Sequence, residues 1–218
     1  MKTLVYGKSG KLGSCIYKML EDNGYNPSFA SSRNIVPIDN KIDIIIEATT
    51  SIAIENIAKA AFDIKKPLVI CTTNIDSKIF EKIEEYAKDI PIFISPNMSF
   101  GVHIFKKILK KAAIELKEYD FDIEIIEKHH NKKIDSPSGT AISIKNLIQN
   151  EYKSEIPIHS IRAGSIFGEH SAIFAGHGEI IELSHTALSR DIFAKGAILA
   201  AKFLIKQSPG IYNMEDLN

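Results

Sequence analysis

The turn Gly7-Lys8-Ser9-Gly10-Lys11-Leu12-Gly13 constrains this chain more than any other stretch. It follows the strand-like run Leu4-Val5-Tyr6 and leads into a helical pattern. The inward face of that helix is Ile16, Met19 and Leu20, and Gly24 sits where a helix C-terminal glycine is expected. Glycines at this spacing allow a tight turn, a close backbone approach to a pyrophosphate and close packing of helix on strand. The helix N-terminus adds aligned N–H donors. The turn is a G-x-x-G-x-x-G relative of the dinucleotide fingerprint. No Gly-Lys-Ser/Thr closes it, so NTP hydrolysis is disfavoured.

The same grammar continues for about a hundred residues. Stretches 28–31, 43–48, 68–71 and 92–95 read as short, continuously apolar strands separated by helical patterns, one over 51–61 and one through Ala87 that Asp76-Ser77 can cap. Continuous apolarity means burial on both faces, and long helical connectors mean parallel crossovers. The expected class is therefore α/β, a Rossmann-like doubly wound parallel sheet. After Asn97 the pattern changes to a helix over 100–116, a strand over 122–127, a polar loop over 128–139 and a helix over 140–150. Strand-like stretches follow near 158–162, 172–175 and 179–186. Strands joined by short turns suit an antiparallel or mixed sheet, hence a second, α+β domain. The amphipathic helix over 190–205 is expected to return to the first unit. The predicted division is 1–98 with 191–218 as the dinucleotide-binding domain and 99–190 as the second domain.

Lys+Arg and Asp+Glu both total 27 in 218 residues, which leaves no net charge to draw the chain to nucleic acid or to a membrane surface. Hydrophobic residues at 44% and charged residues at 25% match a globular protein rather than a disordered or fibrous one. Cys15 and Cys71 are too few for a disulfide framework, no apolar run approaches the roughly 18 residues of a membrane span, and the start has no signal-peptide core. A cytoplasmic location is expected.

About 20 residues beyond the glycines, an NAD site would place an acid for the ribose hydroxyls. The sequence there reads Ser31-Ser32-Arg33. Small hydroxyls beside a guanidinium suit a 2′-phosphate, which a carboxylate would repel. Ser32 and Arg33 therefore point to NADPH, with NADH usable.

The densest polar stretch runs Glu127-Lys128-His129-His130-Asn131-Lys132-Lys133-Ile134-Asp135-Ser136-Pro137-Ser138-Gly139-Thr140. Pro137 keeps Ser136 out of the helical region, and Ser138-Gly139-Thr140 falls at the next helix start, where N–H groups and hydroxyls form an anion seat. Lys133 and His130 can bring positive charge or donors to the same place, so a carboxylate ligand is implied. His129 titrates near neutral pH and Lys133 is a second proton donor, which makes the loop a candidate for general acid catalysis. Although the chain has seven histidines, it contains no His-x-x-x-His helix and no Cys-x-x-Cys pair, and no metal site is expected.

Several of these stretches together resemble one family over nearly the whole chain. They are the glycine turn, Cys71-Thr72-Thr73-Asn74, Ser95-Pro96-Asn97-Met98-Ser99-Phe100-Gly101-Val102, and above all the stretch from Glu127 to Thr140 and Ala141. Arg162-Ala163-Gly164-Ser165-Ile166-Phe167-Gly168-Glu169-His170, Glu182-Leu183-Ser184-His185-Thr186-Ala187-Leu188-Ser189-Arg190 and Phe193-Ala194-Lys195-Gly196-Ala197 agree. The resemblance is to the dihydrodipicolinate reductases of diaminopimelate and lysine synthesis. It implies that His129 is the proton donor/acceptor, that Lys133 is a proton donor, and that His130, Ser138, Gly139 and Thr140 bind the carboxylates of a small dicarboxylate substrate. It also implies that Gly7, Lys8, Ser9, Gly10, Lys11, Leu12, Cys71, Thr72, Thr73, Ser95, Pro96, Asn97 and Met98 line the cofactor groove. Substrate binding, catalysis and assembly of a homotetramer fall to the second domain. Cys71 stands where the family commonly has glycine, Ser95-Pro96 replaces a small apolar pair, and the chain is short for the family.

Two other readings are open from the residues. A semialdehyde dehydrogenase joins similar units but needs a cysteine thiolate, for which only Cys15 and Cys71 are available. A nucleotide-sensing module would bind the cofactor without turnover and would not need the acid/base loop.

Overall fold

A computed structural model describes residues 1–31, 41–152 and 154–217. The chain divides into two compact units, Met1–Phe100 with Arg190–Asn218, and Gly101–Ser189.

In the first unit β1 (Thr3–Tyr6), β2 (Ser28–Ala30), β3 (Ile44–Glu47), β4 (Leu68–Ile70), β5 (Pro91–Ile94) and β10 (Gly210–Tyr212) form one sheet in the order β10-β5-β4-β3-β1-β2. Every pairing is parallel. Helices α1 (Lys11–Asp22), α2 (Ser51–Asp63), α3 (Ser77–Tyr86) and α6 (Asp191–Leu204) cover it.

Alternation along each strand sends neighbouring residues to opposite faces, and here both faces are apolar. Val5, Ile44, Ile46, Val69 and Phe93 join Ile16 and Leu20 of α1 and the alanine-rich stripe of α6. Leu4, Tyr6, Ile45, Leu68, Ile70 and Ile92 join Ile54, Ile57 and Ala61 of α2 and Ile83 of α3. Each such buried aliphatic contributes on the order of 2 kcal/mol. Helix α6 approaches closely because Gly196 has no side chain: a Cβ there would lie 1.6 Å from the Met98 carbonyl oxygen. Asp76 caps α3 by accepting from Lys78 N at 2.9 Å. Gly24 has a φ of +77 just past α1, and its N–H donates to Glu21 O.

Two expectations need correction. Strand β2 is not a buried apolar run, because it is the sheet edge and exposes Ser28 and Phe29. Strand β10, only three residues long with a glycine first, is too short to show a period and was not foreseen.

In the second unit β6 (Asp122–His129), β7 (Ile158–Arg162), β8 (Gly168–Gly176) and β9 (Glu179–Ala187) form a mixed sheet in the order β7-β6-β8-β9. β6 pairs with β7 in parallel and with β8 antiparallel, and β8 pairs antiparallel with β9. The helices are α4 (Phe100–Leu116) and α5 (Gly139–Gln149). Phe105, Leu109 and Ala113 of α4 and Ala141, Ile144 and Ile148 of α5 pack on Ile123, Ile125, Ala172 and Phe174. The strand predicted over 122–127 runs on to His129, since Lys128 pairs with Ile161 and Glu169 and His129 pairs with Arg162. The polar loop therefore begins at His130, and His129 is fixed by the sheet.

Candidate active site

Because all six strands of the first sheet are parallel, their C-terminal ends share one edge, and three sequence-predicted segments gather there. Gly7 leaves β1 with a φ of +94, and a Cβ on it would stand 2.1 Å from Ala48 O. A Cβ on Gly13 would stand 2.1 Å from Gly7 O. Gly10 N donates to Gly7 O at 2.8 Å, and Gly10 occupies the N-cap of α1 with no side-chain cap. The turn of Gly7, Lys8, Ser9, Gly10, Lys11 and Leu12 is thus bare backbone leading into a helix dipole, which fits a pyrophosphate. Ser32 and Arg33 lie outside the described residues.

At the ends of β4 and β5 come Cys71-Thr72-Thr73 and Ser95-Pro96-Asn97-Met98. Ser95 Oγ donates to Asn97 O at 2.8 Å and accepts from Asn97 N at 3.3 Å, while Asn97 Oδ1 accepts from Ser99 N at 2.8 Å, making a tight polar turn. Met98 is buried in the α6 core. Burial, then the nearby Glu47 charge, push the Cys71 thiol well above its usual range. That environment does not favour a thiolate nucleophile.

Glu47, the last residue of β3, is fully buried and was not foreseen. Its Oε1 accepts from Thr49 N at 2.6 Å, Thr49 Oγ1 at 2.5 Å and Thr72 Oγ1 at 2.7 Å, and its Oε2 from Thr72 N at 3.3 Å. One carboxylate therefore ties the turn after β3 to the threonine turn after β4.

In the second unit the period of two places Glu127 and His129 on the same face of β6 as Ile123 and Ile125, beyond the end of the apolar core. His170 lies directly opposite Glu127 on β8, and Arg162 opposite His129 on β7. Glu127 is fully buried, and the His129 Nδ1–H donates to its Oε2. Arg162 holds the same carboxylate with Nη1 at 2.9 Å and Nη2 at 2.5 Å, and Ser138 N donates to it at 3.2 Å. Burial alone would raise this carboxyl, but the hydrogen bonds from Arg162 and His129 outweigh it and hold the pKa at about 2. Glu127 is therefore an anion throughout the physiological range.

Burial lowers the His129 pKa, Glu127 opposes the fall, and the charges of Lys133 and Arg162 reinforce it. Burial thus favours the neutral imidazole, with its proton on Nδ1 towards Glu127, and Nε2 has no hydrogen-bond partner among the described residues. A Cβ on Gly168 would come within 3.1 Å of that Nε2, so glycine leaves room beside it.

Ser138 caps α5 by accepting from Ala141 N at 3.2 Å, and its hydroxyl also meets His170 Nε2 at 3.1 Å. The hydroxyl is engaged on both sides, so what Ser138 presents is the helix start that it caps. The position of a Cβ on Gly139 meets nothing within 4 Å, and Thr140 is half-buried next to it. Burial chiefly lowers the His170 pKa to about 4, which keeps that ring neutral. His130 is half-buried, and its Nδ1 has no partner among the described residues. Lys133 Nζ lies 2.9 Å from Asp135 Oδ2, and Arg162 Nη2 donates to Asp135 O at 2.7 Å, pinning the loop.

The sheet and the loop thus bring His129, Lys133, Ser138, Gly139 and Thr140 into one neighbourhood, with Glu127, Arg162 and His170 beneath them as supports that sequence reasoning missed. The alternation of β6 and the Arg162-to-His170 stretch carried the signal for these three. Among the described residues no cluster of three or more His, Cys, Asp or Glu could hold a metal ion, and no helix is long and apolar enough to cross a membrane.

Comparison with known proteins converges on one family. The family model for the N-terminus of dihydrodipicolinate reductase matches residues 26–98, and that for its C-terminus matches residues 101–217. A 4-hydroxy-tetrahydrodipicolinate reductase of Caldanaerobacter subterraneus subsp. tengcongensis is 40% identical over an alignment covering 100% of this chain and 98% of the relative. One from Clostridium novyi is 37% identical, covering 99% and 97%. The dipicolinate-bound dihydrodipicolinate reductase of Paenisporosarcina sp. TG-14 shares the fold, with a TM-score of 0.82 at 20% identity, covering 100% of this chain and 99% of that one. With both family models matched across its length and full-length relatives at this identity, the chain belongs to the dihydrodipicolinate (4-hydroxy-tetrahydrodipicolinate) reductase family.

Proposed function

We propose that this chain uses NADPH, with NADH as the second choice, to reduce 4-hydroxy-tetrahydrodipicolinate to tetrahydrodipicolinate in diaminopimelate and lysine synthesis. The observation that carries the reading at the level of residues is a single buried anion, Glu127, that holds both the proton-transferring His129 and the helix start at Ser138.

The substrate offers an unsaturated cyclic imine with two carboxylates. When bound, reduced nicotinamide supplies a hydride to the ring. The other contributions come from this chain. The N–H groups of Gly139 and Thr140, with His130, take one carboxylate at the α5 N-terminus. Lys133 exchanges Asp135 for the second carboxylate and faces the charge that grows on the ring. The 4-hydroxyl leaves as water with a proton from the adjacent ring carbon, which creates a ring double bond. The hydride then adds to one carbon of the unsaturated system and a proton from His129 or Lys133 to its neighbour, so that one hydride and one proton are taken up in all. The incoming dianion also stabilises the imidazolium, lifting a depressed His129 pKa towards the range where it can act as an acid.

The nucleotide is assigned to Gly7, Lys8, Ser9, Gly10, Lys11 and Leu12, to Ser32 and Arg33, to Cys71, Thr72 and Thr73, and to Ser95, Pro96, Asn97 and Met98. The 2′-phosphate preference rests on the missing acid near Arg33. We further assign a cytoplasmic homotetramer built on the second unit's sheet. That assignment rests on the family resemblance.

The decisive experiment is oxidation of NADPH and NADH by the purified chain with freshly generated 4-hydroxy-tetrahydrodipicolinate. Turnover with both, and a lower KM for NADPH, is expected. Nucleotide binding without turnover would overturn the reading and leave a sensor. Light scattering that gives a monomer would overturn the tetramer alone.

A further inference from the structure

We infer that Lys8, seated on the rings of Tyr17 and Phe29, is a cation that recognises the 2′-phosphate of an adenine dinucleotide, and that the two rings are its positioning residues. The inference rests on the nucleotide reading above and names the part of the chain that sets nucleotide choice.

Lys8 is the second residue of the glycine turn. Its Nζ stands 3.4 Å from the Tyr17 ring centroid and 4.2 Å from that of Phe29. The rings themselves meet edge to face, with centroids 5.8 Å apart at 82°. Tyr17 comes from α1 and Phe29 from β2, so three separate elements build the cage. Phe29 is 60% exposed on an edge strand, a poor place for a large apolar ring unless it holds something.

In a sheet of this order the adenosine ribose lies past the end of the second strand, where a carboxylate marks NAD and a cation marks NADP. The end of β2 is fixed by the pairing of Ala30 with Tyr6, one residue before the glycine turn, and Ser31 rather than an acid follows. The cage therefore parks a full positive charge beside the place where a 2′-phosphate would lie.

The choice of partner matters chemically. A carboxylate would neutralise Lys8 and repel a phosphate, and among the described residues Lys8 has no carboxylate partner. Aromatic faces hold an ammonium through their quadrupoles while leaving its charge and its outward N–H groups available. The flexible lysine stem is also ordered before the ligand arrives, which lowers the entropy cost of the contact.

The test titrates adenosine 2′,5′-bisphosphate and 5′-AMP into the full chain and its variants by calorimetry. The wild-type chain should bind the bisphosphate more tightly. Lys8→Gln should lower the bisphosphate-to-AMP affinity ratio about tenfold, the scale of one charge-assisted hydrogen bond. Phe29→Leu and Tyr17→Leu should each lower it about threefold, the scale of one exposed cation–π contact. A ratio that survives Lys8→Gln, with AMP still bound, overturns this inference and leaves the nucleotide site standing. A wild-type chain that binds neither probe overturns the nucleotide reading, and this inference with it. A ratio that falls with Lys8→Gln but not with either ring variant removes the positioning role of the rings.

Discussion

Glu127 and His129 stand two residues apart on one face of β6, and the imidazole donates its Nδ1 proton to a carboxylate that is fully buried and doubly held by Arg162. The pair fixes the tautomer of His129 and leaves Nε2 as the unprotonated nitrogen. Glu127→Gln keeps the shape of that contact but removes the charge. Glu127 opposes the burial that lowers the His129 pKa, so its loss should lower that pKa further. If His129 acts as an acid, the descending limb of the kcat profile should move to lower pH and kcat at neutral pH should fall about 100-fold. Stranding Arg162 should also cost on the order of 3 kcal/mol of stability. A variant with an unchanged pH profile and near-normal turnover would separate His129 from proton transfer.

Lys133 Nζ lies 2.9 Å from Asp135 Oδ2, an internal partner that an incoming carboxylate would have to displace. If it meets a substrate carboxylate and the charge developing on the ring, Lys133→Ala should cost about 3 kcal/mol of barrier, roughly 100-fold in kcat/KM, the scale of one lost oxyanion donor. The salt bridge itself has Asp135 exposed, so the thermal midpoint should hardly move. Near-normal turnover in Lys133→Ala would remove the residue from the mechanism.

His170 makes the second unit sensitive to mild acid. Its pKa is 6.5 in an ordinary setting and about 4 in the fold, chiefly through burial. Between those values the unfolded chain binds more protons, so this contribution to stability is complete above about pH 6.5 and is lost as pH falls towards 4. The slope from one such group is at most about 1.4 kcal/mol per pH unit. Glu127 acts in the same direction in a lower window, from 4.5 down to about 2. His170→Gln can still reach Ser138 but cannot titrate. Thermal melts of both proteins from about pH 7.5 to 4 should show a shallower fall for the variant; parallel curves would mean that other groups, such as His129 and His185, carry the loss.

How far the sequence foretold this molecule depends on whether a residue's role is written in its neighbours along the chain or across it. The glycine turn, the apolar runs of β1, β3, β4 and β5 and the Ser138-Gly139-Thr140 helix start are local signals, and the structure has them where expected, whereas the edge strand β2 is exposed. Glu47 and Glu127 are single acids at the ends of strands, and nothing next to them in sequence says that they are buried. Beside the near donors Thr49 and His129, each is held by one far along the chain, Thr72 at 25 residues and Arg162 at 35, and strand pairing brings these together. The position of His129 was misread for the same reason. A polar pair such as Lys128-His129 looks like loop until Glu169 and Arg162 are seen beside it.

Two glycines separate packing from binding. At Gly196 an added Cβ would lie 1.6 Å from a backbone oxygen of Met98, and neither helix nor turn can yield that much without opening the α6 core. Gly196→Ala should therefore cost more than the roughly 1–3 kcal/mol of ordinary overpacking and lower the thermal midpoint sharply. At Gly139, the first residue of α5, an added Cβ meets nothing within 4 Å, so Gly139→Ala should leave the thermal midpoint equal or slightly higher, because alanine favours the helix. The same methyl group would stand where the proposed carboxylate sits on the Gly139 and Thr140 N–H groups, and the substrate KM should rise about tenfold. A Gly139→Ala chain with normal stability and an unchanged KM would place the carboxylate seat elsewhere, while one that loses stability would show that the space above Gly139 is needed by the fold itself.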